Sequence, residues 1–358
     1  MKPSELRSLT GLRWFAALGV YFFHFGIPIW ASPWNQNLAK NGSLGVPFFF
    51  VLSGFVLTYR YEHGVVSLAR YFLSRLARIA PLYYVALFVA IAVQSTQQET
   101  HLNYTMIQHL LVIQSWGLPV PGMSLNGPGW TISVEVIFYL LFPFLIRFST
   151  RLRKTLAGSL GLVTLGLLMS IIPFAFRIIY YGNIGSENAP PFELTWPTKM
   201  PLHYLGLFVV GIGSSAVARN IDPRDPKPLI GWLTDTTMAL TLALLMLVNI
   251  NDTLRPVVSL AAKFWLFGLP FGLIMILLSI DQTSFSGKLL SSNLFHFLGK
   301  ASFSFCIFHV PIESCISTLS IRLSPLSMFL VILGCSIGAH LLIEQPLQKL
   351  IMRRPIKI

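Results

Sequence analysis

Charged residues are scarce in this sequence, since Asp, Glu, Lys and Arg together make up 11% of its 358 residues. An ordinary soluble domain has roughly 25%, so this scarcity excludes a water-soluble globular protein. Cysteine is also rare, with three in the chain, which excludes a disulfide-stapled secreted domain. The absence of a visible internal period excludes a repeat solenoid, and the lack of long polar runs excludes a disordered tail protein.

Apolar residues are abundant instead. Hydrophobic side chains account for 54% of the chain, 28 of them Phe, and the mean hydropathy is +0.67. Apolar runs of about 17 to 25 residues are long enough to cross the hydrocarbon core of a bilayer as helices. We therefore predict an all-α, polytopic membrane protein with about ten transmembrane helices. The predicted spans are 9–31, 43–60, 79–95, 132–149, 154–175, 201–217, 230–249, 257–280, 298–318 and 325–349.

The formal net charge of +13 would suggest a nucleic-acid partner in a soluble protein. In a membrane protein, basic residues gather in cytoplasmic loops. When residues at the ends of a span are counted with the adjoining loop or terminus, eighteen of the 26 Lys and Arg residues lie at the termini or in the even-numbered loops. Five lie in the odd-numbered loops, and three lie deeper within spans. This bias predicts cytoplasmic termini, a multi-pass protein of the cell (inner or plasma) membrane and no nucleic-acid partner. Because no connection exceeds about 40 residues, we expect a single transmembrane domain over residues 1–358 with no appended soluble domain.

The first predicted span carries two ionisable side chains, Arg13 and His24. Charged residues inside a span are costly, at least about 2.5 kcal/mol for Arg on insertion scales, and intramembrane ionisable residues are functional candidates by default. The spacing of eleven residues corresponds to about 16.5 Å of helical rise and about 20° of net rotation, so both residues share one helix face. The imidazole of His24 is suited to accepting a proton from an alcohol near neutral pH. A hydrogen bond between helices, without any chemistry, is the alternative.

Two arginines, Arg75 and Arg78, lie one helical turn apart just before the span at 79–95. Two guanidinium groups at the cytoplasmic mouth suit bidentate contacts with phosphates. The alternative is a role in topology or in binding lipid headgroups.

Glu135, in the segment NGPGWTISVEVIFYLLFP, lies in the outer half of its predicted span. A carboxylate at that depth must be paired, protonated or facing water. His24 belongs to the same half of the membrane on the predicted topology, so a pair between His24 and Glu135 is geometrically possible.

Two further His–Glu pairs have a spacing of four residues, His309 with Glu313 and His340 with Glu344. This spacing places the members of each pair on the same helix face. A structural or catalytic zinc site requires tighter convergence of its ligands and defined outer-shell partners, so we expect no metal.

Six motifs, taken in order, resemble the acyltransferase-3 family of integral membrane acyltransferases. GLRWFAALGVYFFH matches the family signature of an arginine, ten residues and a histidine. FFFVLSGF, RLARIAPLYY, GPGWTISVEVIFY, LGKASFSFCIFHVP and IEQP follow in the order of the family. The resemblance spans nearly the whole chain, although Ser74 stands where many members carry another basic residue.

The resemblance implies a ten-helix membrane domain that moves an acetyl or other short acyl group, with acetyl-CoA as the usual donor, onto hydroxyls of carbohydrates, lipids or small molecules. It implies that His24 is the essential histidine and that Arg13 is its partner in the signature. The other site residues on this basis are Arg75 and Arg78 for the donor, Glu135 for catalysis, and Trp130, Ser133 and His309 for the substrate.

We therefore predict an O-acyltransferase that takes an acyl group from cytoplasmic acyl-CoA to a hydroxyl of a cell-surface carbohydrate or glycolipid, with membrane lipid around it. Direct transfer with His24 as general base and a covalent acyl-enzyme on His24 or Ser133 are both open. The chain contains no GxSxG segment that would favour the serine route. A transporter or flippase and an acyltransferase for a small molecule such as a macrolide are the alternative functions.

Overall fold

The structure, a computed structural model, describes residues 5–27, 33–94, 102–116, 125–171, 200–221, 227–247, 256–281 and 283–353. Within these ranges the chain forms helices and no strand, which confirms the all-α prediction. Residues 1–4 and 354–358 lie outside the described residues, and the cytoplasmic location of the termini stays a prediction.

The described residues form fourteen α-helices. Their bounds are α1 Arg7–Phe25, α2 Pro33–Asn41, α3 Gly45–Arg60, α4 Leu68–Gln94, α5 Leu102–Leu110, α6 Trp130–Phe148, α7 Leu156–Met169, α8 Pro201–Asn220, α9 Lys227–Leu247, α10 Pro256–Ile280, α11 Phe285–Leu290, α12 Asn293–Thr318, α13 Pro325–Ala339 and α14 Gln345–Arg353. Short 3₁₀ turns form at Gly42–Leu44, Gly127–Gly129 and Leu152–Lys154, and a π-helical turn, His340–Glu344, joins α13 to α14.

Six helical stretches in the described part of the chain are long and apolar enough to cross a membrane. They are Asn35–Arg60, Leu68–Val93, Gly127–Phe148, Pro201–Asn220, Leu229–Leu247 and Pro325–Arg353. Each of the ten predicted spans overlaps a helix, but α1 is not among the six, since Arg7, Arg13 and His24 make it less apolar. The membrane character of the chain is thus confirmed, and the number of ten spans stays a prediction.

Contacts divide the chain into two compact units. Unit 1 comprises the described parts of 1–64, 144–189 and 202–300, and unit 2 comprises those of 65–143, 190–201 and 301–358. The expectation of a single domain over the whole chain stays a prediction. The predicted site residues are divided between the units, with Arg13 and His24 in unit 1 and the others in unit 2.

Within unit 1, α3 and α8 approach each other closely through glycines. A Cβ atom at Gly54 would overlap the carbonyl oxygen of Phe208, and one at Gly211 would overlap that of Val51. Small residues at a crossing allow the backbones of two membrane helices to come into contact. Gly54 is therefore a packing residue at this crossing.

Replacing Gly54 with alanine should lower the free energy of unfolding by about 1–3 kcal/mol, because the added methyl group meets backbone atoms that cannot turn away. Gly161→Ala is the matched control, since a Cβ at Gly161, also inside a helix, meets nothing within 4 Å. Alanine is the better helix former, so this control should be neutral or stabilising by up to about 1 kcal/mol. Thermal unfolding of the two variants in detergent measures the difference, and equal midpoints would contradict the packing argument.

Within unit 2, α4 and α6 are joined by buried aromatic side chains. The hydroxyl of Tyr71 on α4 donates a hydrogen bond to the carbonyl oxygen of Tyr139 on α6 at 3.0 Å. The ring of Tyr71 stacks on that of Phe142, with 5.8 Å between the centroids. The helix α14 packs along α4. These contacts position the polar residues of α4, α6 and the π-helical turn.

Candidate active site

Arg13 and His24 both lie on α1, as predicted. The helix ends at Phe25, earlier than the predicted span, because Gly26 takes a non-helical conformation with a positive φ of 74°. The Gly26 N–H donates the last hydrogen bond of the helix to the carbonyl oxygen of Phe22. His24 therefore lies in the last turn rather than in the middle of a helix. Its imidazole is exposed, and its centroid lies 5.3 Å from that of the Phe23 ring.

Glu135 on α6 has a buried partner one turn along the same helix. The hydroxyl of Tyr139 donates a hydrogen bond to the Oε1 atom of Glu135. Tyr139 is 4% exposed, so this bond is largely shielded from solvent. Of the three states predicted for a carboxylate at this depth, which are paired, protonated or facing water, the hydrogen bond from Tyr139 fits the first.

Arg78 on α4 faces the same region of unit 2. Its guanidinium group interacts electrostatically with Tyr139, Glu135 and Glu344. Opposite charges that are buried near one another offset part of the energetic cost of their burial. Arg78 therefore brings a positive charge to the part of unit 2 that contains Glu135.

The π-helical turn brings His340 and Glu344 into direct contact. The Nδ1 atom of His340 lies 2.6 Å from Oε2 of Glu344, and both side chains are buried. Ser304 donates to the same carboxylate at 3.1 Å, while Gln345 Nε2 lies 2.9 Å from Nε2 of His340. The predicted shared face of His340 and Glu344 is confirmed. Single π-helical turns within α-helices occur frequently at functional sites.

Arg75, one turn before Arg78, has different neighbours. Its guanidinium carbon lies 5.5 Å from the ring centroid of Tyr139 and 6.0 Å from that of Tyr71, at distances typical of cation–π contacts. Its Nε atom donates to Ser74 Oγ at 3.3 Å. Among the described residues, no carboxylate lies within ion-pair distance of Arg75. The two arginines of the motif thus share Tyr139 as a neighbour, and Arg78 also interacts electrostatically with Glu135 and Glu344.

Arg75 also lines an apolar groove of about 390 Å³ in unit 2. The groove follows one side of α4 from Ala69 to Tyr84 and is closed by residues of α6, among them Val136 and Leu140. An apolar groove with a guanidinium group in its wall suits a ligand that has an extended neutral part and an anionic part.

Ser133 and Trp130, predicted to contact substrate, hold the chain segment after α5 against α6. The Ser133 Oγ atom accepts a hydrogen bond from the Ser115 N–H at 3.2 Å, and its carbonyl oxygen accepts one from Trp116 Nε1 at 3.1 Å. Ser115 Oγ donates to the Trp130 carbonyl oxygen at 3.2 Å. Ser133 is fully buried, which favours a positioning role over nucleophilic attack.

His309 on α12 is 1% exposed, and its Nδ1 atom lies 3.3 Å from the carbonyl oxygen of Phe305. Its role in substrate binding, like those of Trp130 and Ser133, stays a prediction. The pairing of His24 with Glu135 stays a prediction as well.

The sequence analysis does not identify Tyr139 or Ser304 as residues of this site. Tyr139 is detectable in principle, because a residue four positions after Glu135 lies on the same helix face. Ser304 and Glu344 are 40 residues apart, and no spacing rule joins residues on different helices. Within the part of the chain that the structure describes, no three His, Cys, Asp or Glu side chains form a group that could hold a metal ion.

Comparison with known proteins identifies the family. Residues 6–344 match the acyltransferase-3 family, described as an acyltransferase domain. The acyltransferase MdmB of Streptomyces mycarofaciens is 31% identical over 243 residues, which cover 63% of this chain and 61% of that protein. No solved structure matches the chain significantly.

Two further relatives cover more of the chain at lower identity. A protein of Staphylococcus aureus (strain COL) named "Putative O-acetyltransferase" is 23% identical over 87% of this chain and 51% of its own length. A Bacillus subtilis (strain 168) protein named "Putative peptidoglycan O-acetyltransferase YrhL" is 25% identical over 85% of this chain and 48% of its own length. The chain thus spans about half to three fifths of the length of these curated relatives. The match across almost all of its residues shows that the chain belongs to the acyltransferase-3 family.

Proposed function

We propose that the chain is a cell-membrane O-acyltransferase that moves an acetyl or other short acyl group from acyl-CoA to a hydroxyl of a cell-surface carbohydrate or glycolipid. The observation that carries this proposal is the family match over residues 6–344, a range that contains both His24 and Glu135. The names of the relatives from S. aureus and B. subtilis support O-acetyl transfer. The word peptidoglycan in one of these names supports a carbohydrate acceptor.

In the proposed reaction His24 acts as a general base. The imidazole takes the proton of the acceptor hydroxyl while the hydroxyl oxygen forms a bond to the thioester carbonyl carbon. The carbon–sulfur bond then breaks, and the sulfur of CoA leaves with the proton from His24. Glu135 orients the acceptor hydroxyl or balances its charge, and the hydroxyl of Tyr139 holds the carboxylate of Glu135 through a hydrogen bond.

The groups around Arg75 suit the binding of acyl-CoA, the proposed acyl donor. Its guanidinium group can bind a phosphate, and the apolar groove that it lines can hold the thin, mostly neutral arm of the donor. Arg78 adds positive charge one turn away, and Arg13 is the third proposed contact on the donor side.

The direct test supplies radiolabelled acetyl-CoA to membranes that contain the full chain and follows both release of the CoA thiol and transfer of label to carbohydrate. We expect both signals above those of membranes without the chain. Thiol release and label transfer at background level, with correctly folded protein present, would overturn the proposal and favour a transport function.

Exchanging Arg75 and Arg78 for alanine should raise the apparent KM for acetyl-CoA by about tenfold or more, which corresponds to the loss of one charge-assisted hydrogen bond. Arg75→Ala alone should raise KM with kcat little changed, whereas Arg78→Ala should lower kcat as well, since Arg78 also interacts electrostatically with Glu135. The matched control is Arg70→Ala, because Arg70 is an exposed arginine on the same helix. Initial rates against acetyl-CoA concentration measure these effects. Unchanged donor dependence in the double variant would exclude the phosphate role.

A further inference from the structure

The groove between α4 and α6 that Arg75 lines is about as long as one leaflet of a membrane. It follows α4 from Ala69 to Tyr84, which corresponds to about 22 Å of helical rise. Half of a bilayer, with its headgroup region included, is about 20–22 Å thick. We call this feature the Arg75 groove. Its length suits a lipid molecule that lies along α4 within a single leaflet.

Arg75 brings to this groove a positive charge that no acidic side chain of the described residues pairs with. The residue is 7% exposed, and within the described residues its guanidinium group makes one hydrogen bond, from Nε to Ser74 Oγ. The rings of Tyr71 and Tyr139 lie within cation–π distance, but they are uncharged. A buried charge without a counter-charge is costly. An anionic group beside Arg75 would therefore be stabilising.

The hydroxyl groups at the far end of the groove already have partners. Tyr83 and Tyr84 line the groove there, and their hydroxyls donate to the carbonyl oxygens of His109 at 2.7 Å and Leu110 at 2.9 Å. Val112, which follows this segment, also lines the groove. The far end therefore presents mainly apolar surface, which suits a hydrocarbon chain better than a polar ligand.

Exposed apolar side chains form the rim of the groove. Phe72 and Leu76 on α4 and Leu140 on α6 line it, and all three are exposed. They lie in two of the helical stretches that are long and apolar enough to cross a membrane. Lipid tails are as apolar as such side chains and cover them within a bilayer. A membrane lipid can thus reach the groove from within the bilayer.

We propose that the Arg75 groove binds an anionic phospholipid, with the phosphate at Arg75 and one acyl chain directed along α4 toward Tyr84. About 13.5 Å of helical rise separates Arg75 from Tyr84, and the hydrocarbon of one leaflet is about 15 Å thick. On the predicted topology Arg75 lies at the cytoplasmic surface, where anionic lipids are concentrated. The guanidinium group suits a phosphate because it can donate two parallel hydrogen bonds.

The lipid would occupy the groove when no acyl donor is bound. This consequence rests on the proposed function, in which Arg75 and its groove bind acyl-CoA. Because the lipid has to leave before the donor enters, anionic lipid would act as a competitive regulator of acyl transfer. In vesicles, a content of phosphatidylglycerol that fills half of the grooves should raise the apparent KM for acetyl-CoA by about twofold relative to phosphatidylcholine alone.

The test measures lipid binding without any donor. The full chain is purified in an uncharged detergent, and its thermal midpoint is followed against increasing dioleoylphosphatidylglycerol. Dioleoylglycerol supplies the same chains without the phosphate, and glycerol 3-phosphate supplies the phosphate without the chains. We expect strong stabilisation by phosphatidylglycerol alone. Equal stabilisation by dioleoylglycerol would overturn the phosphate contact, and equal stabilisation by glycerol 3-phosphate would mean that the site binds a soluble phosphate rather than a lipid.

Two substitutions test the two ends of the ligand. Arg75→Met should weaken the apparent affinity for phosphatidylglycerol by about tenfold or more, since a hydrogen bond to a charged group is lost. Ala80→Phe places a ring inside the groove, because Ala80 lines it, and should weaken binding of the acyl chain. The matched controls are Arg70→Met and Ala92→Phe, at exposed positions of α4 that do not line the groove. Each midpoint is compared with that of the same variant without lipid.

Unchanged affinity in both Arg75→Met and Ala80→Phe would mean that lipid covers the protein surface without a specific site, and would overturn the inference. The proposed function fails in a different way. Selective binding of phosphatidylglycerol by a chain that transfers no acetyl group would contradict the proposed function alone. Acetyl transfer by a chain that binds the three test compounds equally would contradict the lipid site alone.

Discussion

Replacing His24 with alanine should lower the rate of acetyl transfer by a factor of about 10² to 10⁴, the range that general acid–base catalysis contributes. In the proposed reaction, no other group takes the proton of the acceptor hydroxyl in the variant. His24 is exposed at the end of α1, so the shorter side chain leaves no cavity behind. Thiol release from acetyl-CoA, measured at equal amounts of folded protein, gives the rate.

The matched control for this variant is His63→Ala. The His63 side chain is 93% exposed, it belongs to the same unit, and it has no part in the proposed reaction. We expect His63→Ala to retain the wild-type rate. A His24→Ala protein that folds normally and transfers acetyl groups at the wild-type rate would exclude the general-base role.

Exchanging Glu344 for glutamine should lower the free energy of unfolding by about 1.5–3 kcal/mol, the contribution of a buried hydrogen bond to a charged group. The carboxylate contacts His340 and Ser304 and also interacts with the positive charge of Arg78. Glutamine has nearly the same shape as glutamate but no charge. The positive charge of Arg78 therefore loses one of the acidic groups that stabilise it. Chemical or thermal unfolding in detergent measures the loss. Adding Arg78→Met should recover part of it, because the uncompensated charge is then removed.

Unit 1 offers a matched exposed pair for comparison. Glu5 Oε1 lies 2.9 Å from His296 Nε2 and 3.3 Å from Lys300 Nζ, but its side chain is 56% exposed. Exposed ion pairs contribute up to about 1 kcal/mol, so Glu5→Gln should have a far smaller effect than Glu344→Gln. Similar losses in the two variants would mean that burial does not decide the strength of the His340–Glu344 contact.

Much of the secondary structure is predictable from the sequence, because a lipid environment requires long apolar helices. Every predicted span coincides with at least part of a helix, and the spacing of Arg13 and His24 places both on α1. The end of α1 is less predictable, since the apolar character of the sequence continues past the point where Gly26 stops the helix.

The candidate site is predictable only where its residues share one helix. The contact of His340 with Glu344 follows from a spacing of four, and the same rule would reveal Tyr139 as the partner of Glu135. The proximity of Arg78 to Glu344 depends on how α4 packs against the π-helical turn. Helix periodicity carries no information about this packing. For the same reason, the sequence does not reveal that Tyr139 is a neighbour of both Arg75 and Arg78.

The π-helical turn His340–Glu344 has a consequence for the last helix of the chain. A π-helical turn accommodates one residue more than an α-helical turn, and one residue of an α-helix corresponds to a rotation of about 100°. The side of α14 that meets α4 is therefore set by this extra residue rather than by the sequence of α14. If the same residues formed a regular α-helix, all of Gln345–Arg353 would be rotated by about 100° relative to α4. Deleting one residue within 340–344 would instead remove the π-helical turn and keep α14 in phase with α4.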